Sequence, residues 1–369
     1  MKITDIKTCH ARFGYVRVYT DEGLYGTGEL SHQGAGWRQI VESMKRMLIG
    51  EDPRDVDMCF EKVRRAFIFQ GGFAGHTISA LTGIEVALWD LAGKAAGVPV
   101  YRLLGGKFRD RVRLYVDCAM SDVTETSRKL GEQGYTALKF DLDDASRPEK
   151  VDKWNWTVHP AELEVIIDEA HKLREAVGPH MDLAIDLHGR YDVVAGQKIA
   201  VGVEDLDLMW LEEPVPPENL DALAKVKAAS STPICVGENL YLRWGFRDLL
   251  EKQAADIIMP DISKCGGLSE CRKIANMAEI WYVPFAPHNN SGPLSTLADA
   301  HTCASVPNFL ALEYHRIRDE GMEEILHKDE PLIEQGHVVL NEQPGLGAEL
   351  NEDYVRTMLP EGWGDELFV

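Results

Sequence analysis

Six charged residues, Asp186, Glu212, Glu238, Asp261, His288 and Glu313, each close an apolar run. The runs are LAIDLHG, MWLEEP, ICVGEN, IIMPDIS, VPFAPHN and LALEYH. Asp186, Glu212 and Glu238 have the chemistry of a hard-cation site. All-oxygen donors, few in number and leaving open positions, favour Mg2+ over Ca2+ or Zn2+. On neighbouring strands, ~4.8 Å apart, three carboxylates crowd and need a cation to stay ionised. Glu213 adjoins Glu212, and periodicity does not decide which of the two faces the axis. Asp261 and His288 offer general-base chemistry. A carboxylate that accepts from one ring nitrogen fixes the tautomer and raises the basicity of the other. His188 follows Asp186 by two residues, so strand alternation sends both side chains to one side and adds a candidate acid.

The intervals between the six residues are 26, 26, 23, 27 and 25. That is close to the βα repeat of a barrel of roughly 250 residues, and it places all six at the C-terminal ends of parallel strands. The first strand is predicted at VRLYVDCAM, from Arg111. A helix over SDVTETSRKLGEQG follows, with Ser121 or Asp122 as N-cap. ALKFD (137–141) is the second strand, residues 161–177 a helix, and 182–188 the third strand. Later helices fit near 195–205, 218–229, 246–254, 268–280 and 294–305, which gives eight strands between 112 and 315. The insertion DLDDASRPEKVDKWNWTVHP lengthens the step from the second to the third strand and is expected to overhang the mouth. The first ~110 residues lack this rhythm and read as α+β. Strands fill 1–30, with a turn at Asp21-Glu22-Gly23. Helices are predicted over 36–48, 55–68 and 77–96, with Asp52-Pro53 as a break and a glycine-rich loop around 71–75. After about 325 the chain turns mixed and polar and ends in a short acidic segment.

Composition excludes several classes. The chain has 369 residues, 39 basic and 60 acidic, for a net charge of −21. That balance argues against nucleic acid as a partner. It also requires a local cation if the substrate is an anion. The seven cysteines form no CxxC pair and read as buried thiols in a reducing cytosol. The N-terminus has no apolar signal-type run, and no apolar stretch approaches 18 residues. The expectation is a cytoplasmic protein with no membrane span.

Two further stretches, GIEVALWDLAGKAAGVPVYRLLGG (83–106) and GGLSECRKIANMAE (266–279), complete a pattern that resembles the mandelate racemase-like branch of the enolase superfamily. The resemblance runs from residue 1 into the tail. It implies an α/β fold, a modified TIM (β/α) barrel under an α+β capping domain built from both termini. The corresponding organisation is 1–110 capping domain, 111–325 barrel, and 326–369 returning to the cap. It implies Mg2+ on Asp186, Glu212 and Glu238, and the His288–Asp261 dyad as base. Glu313 would face the substrate carboxylate opposite Mg2+, as a hydrogen-bonding or electrophilic partner. The family also implies a homo-oligomer, from dimer to octamer.

The second strand discriminates among reactions. Racemising members commonly carry Lys-x-Lys there; this chain has Lys139-Phe140-Asp141. In the family the first lysine contacts the substrate carboxylate. The second, the base on the opposite face, is replaced here by Asp141. One strong base suits elimination, which needs one base and one acid, better than racemisation, which needs both faces. Asp186-x-His188 resembles the sugar-acid dehydratases, in which this histidine protonates the departing 3-hydroxyl. The expected function is a Mg-dependent acid-sugar dehydratase of the galactonate or gluconate type. An epimerase or cycloisomerase would draw its second-face group from Asp141, His159 or a loop. A carboxylate-binding protein without turnover is the third reading. Candidate substrate contacts are His76 in the Phe69–His76 loop, Trp154, Trp156 and His159 in the insertion, and Asp141; subunit contacts are the alternative for the first four. The connection near Phe13-Gly14-Tyr15 is short, leaving room for a five- or six-carbon chain.

Overall fold

The computed structural model describes residues 1–30, 36–315 and 319–360; the acidic end of the tail lies outside the described residues. Strands β1 (Ile3–His10), β2 (Gly14–Thr20) and β3 (Tyr25–Leu30) form an antiparallel meander. Helices α1 (Trp37–Leu48), α2 (Val56–Ala66) and α3 (Gly75–Ala96) follow. α1 and α2 each bury one apolar stripe, as the periodicity of their sequences requires. α3 is buried on most sides because β3 lies directly on it. A Cβ on Gly28 would meet the Gly83 carbonyl oxygen at 2.1 Å, so the strand sits on the helix only with glycine there.

After the single turn α4 (Val100–Leu103), the chain winds β4 (Arg111–Cys118), α5 (Val123–Glu132), β5 (Ala137–Asp141), α6 (Pro160–Val177), β6 (Asp182–Asp186), α7 (Val193–Gly202) and β7 (Trp210–Glu212). It continues through α8 (Leu220–Lys227), β8 (Ile234–Val236), α9 (Leu242–Glu251), β9 (Ile257–Ile258), α10 (Ile262–Cys265), α11 (Gly267–Ile280), α12 (Pro293–Ala304) and β10 (Leu312–Tyr314). Parallel pairing runs from β4 to β9 in sequence order. A seventh stave passes through Phe285, bridged to Ile258 and Phe309. β10 then pairs with β4 and closes the barrel. The eight-stave (β/α) barrel is the one the spacing predicts.

The barrel interior explains how the sequence aims its site. A packed cluster takes one or more residues from every stave: Tyr115, Ala137, Ala184, Trp210, Cys235, Met259, Ala286 and Ala311 among them. Two large rings, edge-to-face at 5.0 Å, are accommodated by small neighbours. Two residues further along these staves come Asp117, Lys139, Asp186, Glu212, Asp261, His288 and Glu313. Strand alternation therefore lifts a charged ring directly above an apolar floor.

The stretches 83–106 and 266–279 join the two layers of the molecule. Glu85 on α3 accepts from the Leu268 and Ser269 amides at the start of α11, at 3.0 and 2.9 Å. Gly267 has φ 86°, and a Cβ there would strike Glu85 Oε2 at 2.0 Å. Glu29 at the end of β3 likewise accepts from Gly292 and Ser295 at the start of α12. In both cases an acid of the N-terminal layer neutralises the positive end of a barrel helix.

The tail is more divided than a simple return to the cap. It carries β11 (Leu326–His327), β12 (Ile333–Glu334), β13 (His337–Val339), β14 (Glu349–Leu350) and α13 (Glu352–Thr357). β13 pairs antiparallel with the start of β4, so this part belongs to the barrel sheet. Beyond it Leu346 donates to Asp90 of α3 at 2.9 Å, and Glu352 pairs with Arg17 of β2 at 2.7 Å. Asp122, one of the two positions expected, is the N-cap of α5, but in a left-handed conformation, φ 50°, and without a side-chain cap bond. All seven cysteines are buried thiols outside any disulfide. No helix among the described residues is long and apolar enough to cross a membrane.

Candidate active site

Asp186 ends β6, Glu212 ends β7, and Glu238 lies two residues past β8. Each offers a carboxylate oxygen within 4.8 Å of the others. Trp210 from the barrel floor donates to Glu212 Oε2 at 2.9 Å and fixes its orientation. Glu213 takes a different course: its backbone is left-handed, φ 37°, and its carboxylate accepts from Gly237 N and Asn239 Nδ2 at 3.0 and 3.2 Å. Burial and the nearby Glu238 push it up to about 7. The member of the pair that joins Asp186 and Glu238 is thus Glu212.

Lys139 is more central than the resemblance implies. Its Nζ is buried and lies 3.0 Å from Asp186 Oδ2, 2.7 Å from Glu212 Oε1 and 2.6 Å from Glu313 Oε1. An ammonium has three donors; two are given to Asp186 and Glu212, and Glu313 adds an ion pair. Burial opposes the charge on Lys139, but the three carboxylates outweigh burial and raise its pKa well above the ordinary range. Burial and Asp186 in turn push Glu212 well up. One ammonium does not balance this many buried acids. An all-oxygen donor set short of positive charge fits a hard divalent cation.

His288 stands beside this cluster. Its Nδ1 hydrogen-bonds Asp261 Oδ2 at 2.8 Å. Its Nε2 lies 3.3 Å from Glu238 Oε2 and 3.7 Å from Glu313 Oε2. Burial lowers the ring pKa, but Glu313, Glu238 and Asp261 reverse the shift and raise it. The arrangement leaves Nε2, aimed over the carboxylates, as the atom that can take a proton.

His188 reaches the site by a route that alternation does not describe. The strand stops at Asp186, and His188 has a left-handed backbone, φ 46°. Its amide donates to Asp186 Oδ1 at 2.8 Å. The ring lies with Nε2 3.5 Å from Asp186 Oδ2 and Nδ1 3.2 Å from Asp143 Oδ2. Asp143, which also pairs with Arg190 at 2.7 Å, is the main cause that pushes His188 up to about 9. His188 and Glu213 are non-glycine residues at positive φ next to the cluster, the kind of local strain that collects at functional sites.

Asp143, Asn289, His315 and Asp117 border the site without a distinct signal in the sequence. Asp143 belongs to the insertion. Asn289 donates its amide to Glu313 Oε2 at 3.1 Å. His315 has Nε2 3.0 Å from Glu313 Oε1 and Nδ1 3.3 Å from Asp117 Oδ2. The same two-residue offset that singles out His188 was available for His315 within LALEYH. Asp141, paired in register with Asp186, lies at the exposed end of β5. Partial desolvation among its neighbours, with Asp117 and Asp186 nearby, pushes its carboxyl up to about 6.

The expected substrate contacts separate. His159 is the N-cap of α6: its Nδ1 accepts from the Ala161 amide at 3.3 Å, a structural task. Trp154 is 91% exposed. Trp156 instead lines a cavity of about 230 Å³ with Asp143, Lys150, Lys153, Arg190 and Tyr191, immediately beside His188. The insertion thus does reach the mouth, through Asp143 and Trp156. His76 is exposed in the first turn of α3. The neighbouring Phe73 and Ala74 line a wider cleft with Asn239 and Tyr241, past the end of β8.

Known proteins match this arrangement along the whole chain. Residues 2–105 match the model of the mandelate racemase/muconate lactonizing enzyme N-terminal domain, and residues 122–354 that of the enolase C-terminal domain-like family. A D-xylonate dehydratase of Haloferax volcanii is 43% identical over 98% of this chain and 90% of its own. A D-galactonate dehydratase of Variovorax paradoxus is 32% identical over 96% of this chain and 94% of its own. The crystal structure of a mandelate racemase/muconate lactonizing enzyme-like protein from Rubrobacter xylanophilus has a TM-score of 0.95, 46% identity and 99% coverage of both chains.

Proposed function

The chain belongs to the mandelate racemase/muconate lactonizing enzyme family of the enolase superfamily, and from that premise we propose that it is an acid-sugar dehydratase. It removes the C2 proton of an aldonate and eliminates the 3-hydroxyl as water. One observation carries this reading: two imidazoles border the same carboxylate cluster, each held at Nδ1 by its own aspartate. His288 is backed by Asp261 and offers Nε2 as base. His188 is paired with Asp143 and favours the protonated form that an acid needs.

Asp186, Glu212 and Glu238 would hold Mg2+. When bound, that ion supplies positive charge to the substrate carboxylate as it turns into an enediolate, preorganised stabilisation of a kind that is usually the largest catalytic contribution. Use of His with Mg2+ in this superfamily is a known pattern. His288 Nε2 accepts the C2 proton. His188 gives its proton to the 3-hydroxyl, which leaves as water. The resulting enol tautomerises to a 2-keto-3-deoxy acid. Lys139 and Glu313 meet at 2.6 Å beside the cluster and set its charge where the substrate carboxylate docks.

The relative named for D-xylonate puts five-carbon aldonates first among candidate substrates, with D-galactonate next. Incubation of an aldonate and aldarate panel with Mg2+, and with chelator, tests the reading. Formation of a 2-keto acid only in the Mg2+ arm is expected. Failure with every sugar acid would refute it.

A further inference from the structure

The eighth stave carries a third histidine–aspartate pair at the site, one for which dehydration has no step. His315 sits between Glu313 Oε1, 3.0 Å from Nε2, and Asp117 Oδ2, 3.3 Å from Nδ1. The layout repeats that of His288. In each pair an aspartate on an adjoining stave meets Nδ1, and Nε2 points toward Glu313. The two rings lie 6.0 Å apart, centroid to centroid. Glu313 is fully buried, and its remaining partners come from elsewhere: Lys139 on the second stave and the Asn289 amide after the seventh.

We propose that His315, oriented by Asp117, is a positioning residue that fixes the Glu313 carboxylate against which the substrate's own carboxylate docks. The inference rests on the aldonate reading of the same site. Its physical basis is a buried acid whose two oxygens would otherwise be unevenly satisfied. Oε2 has a rigid backbone donor. Among the described residues, Oε1 has only the Lys139 ammonium, which Asp186 and Glu212 share, unless His315 donates as well. Burial pulls the His315 ring down, but Glu313 and Asp117 outweigh it and push it up to about 9. An imidazolium donates from both nitrogens, so one ring ties Glu313 to the first stave. Its charge adds to that of Lys139 and lets a second carboxylate approach Glu313.

The test compares His315→Leu, His315→Gln, Asp117→Asn and the double variant Asp117→Asn/His315→Leu. Three quantities are measured: KM and kcat for the aldonate turned over, C2 proton exchange in heavy water, and oxalate binding in the presence of Mg2+ by calorimetry. His315→Leu should raise KM and weaken oxalate at least tenfold, and slow exchange. His315→Gln keeps an N–H that can reach Glu313 and should recover part of each loss. Asp117→Asn should weaken the same quantities alone, yet add less than twofold in the His315→Leu background. Wild-type KM and oxalate affinity in His315→Leu, or effects of the two substitutions that simply multiply, would overturn the proposal. Should His315→Leu fail to fold, His315→Gln and Asp117→Asn carry the same comparison. The oxalate arm separates the two readings: absence of turnover on any sugar acid would sink the dehydratase, while oxalate would still report whether His315 sets the carboxylate site.

Discussion

Lys139 on the second stave and Glu313 on the eighth meet at 2.6 Å, with the first stave between them. The contact reaches across the first stave and brings the ammonium into a group of buried acids that also includes Asp186 and Glu212. Removing one partner of such a buried group leaves uncompensated charge, at a cost of about 3–5 kcal/mol. Lys139→Met is therefore expected to lower unfolding free energy by that order in chelator, and to regain part of it when Mg2+ is added. Equal stability of the variant and the parent in chelator would show that Lys139 does not balance the acids.

Metal binding has a stability readout of its own. A ligand at 100 times its dissociation constant stabilises the folded chain by about 2.7 kcal/mol. Titration with Mg2+ should raise the unfolding midpoint of the parent, and Glu212→Gln should flatten the response. An unchanged response in that variant would remove Glu212 from the ligand set.

The two imidazoles are predicted to fail differently. His288→Asn should reduce both C2 exchange in heavy water and water loss, by about 10²–10⁴-fold for a lost acid–base group. His188→Asn should keep exchange while losing dehydration. If exchange disappears along with dehydration, His188 has a part in the first step and is not simply the acid.

A buried histidine outside the site predicts how stability follows pH. His301 Nδ1 accepts from the Tyr101 amide, and its Nε2 lies 3.1 Å from the Leu346 carbonyl. Burial is the cause that pulls the ring down to about 4. An unfolded chain titrates its histidines near 6.5, so between these values the unfolded state binds the extra proton. Stability should fall as pH drops from about 6.5 to about 4 and then level off, by roughly 3 kcal/mol in total. Urea unfolding of the parent and His301→Asn at several pH values isolates this contribution. The variant should show a shallower loss in that window, and parallel curves would refute the assignment.

The barrel was legible because its signals are local and repeated. Each stave is an apolar run closed by a charged residue, and alternation above the Tyr115–Trp210 floor aims those charges inward. The two glycine-bearing stretches were legible as a family pattern, and their physical task, holding Glu85 at the start of α11, emerges only in three dimensions. Where reasoning from periodicity fell short, the backbone had left the strand. His188 turns left-handed and reaches Asp186 through its own amide and Asp143, a partner from the insertion. His159 looked equally available but is consumed by the start of α6. The resemblance places Lys139 at the substrate carboxylate, and one residue on one strand does not reveal the three carboxylates that converge on it from others. His315 went unremarked for a similar reason: its meaning depends on Asp117, far away in sequence.

The most direct measurement is an NMR time course of D-xylonate, D-galactonate and related aldonates with the Mg2+-loaded protein in heavy water. A substrate turned over should lose one water and give a 2-keto-3-deoxy acid with deuterium at C3. Scrambling at C2 with the 3-hydroxyl retained would identify an epimerase instead, and absence of any 2-keto-3-deoxy acid across the panel would contradict dehydration altogether.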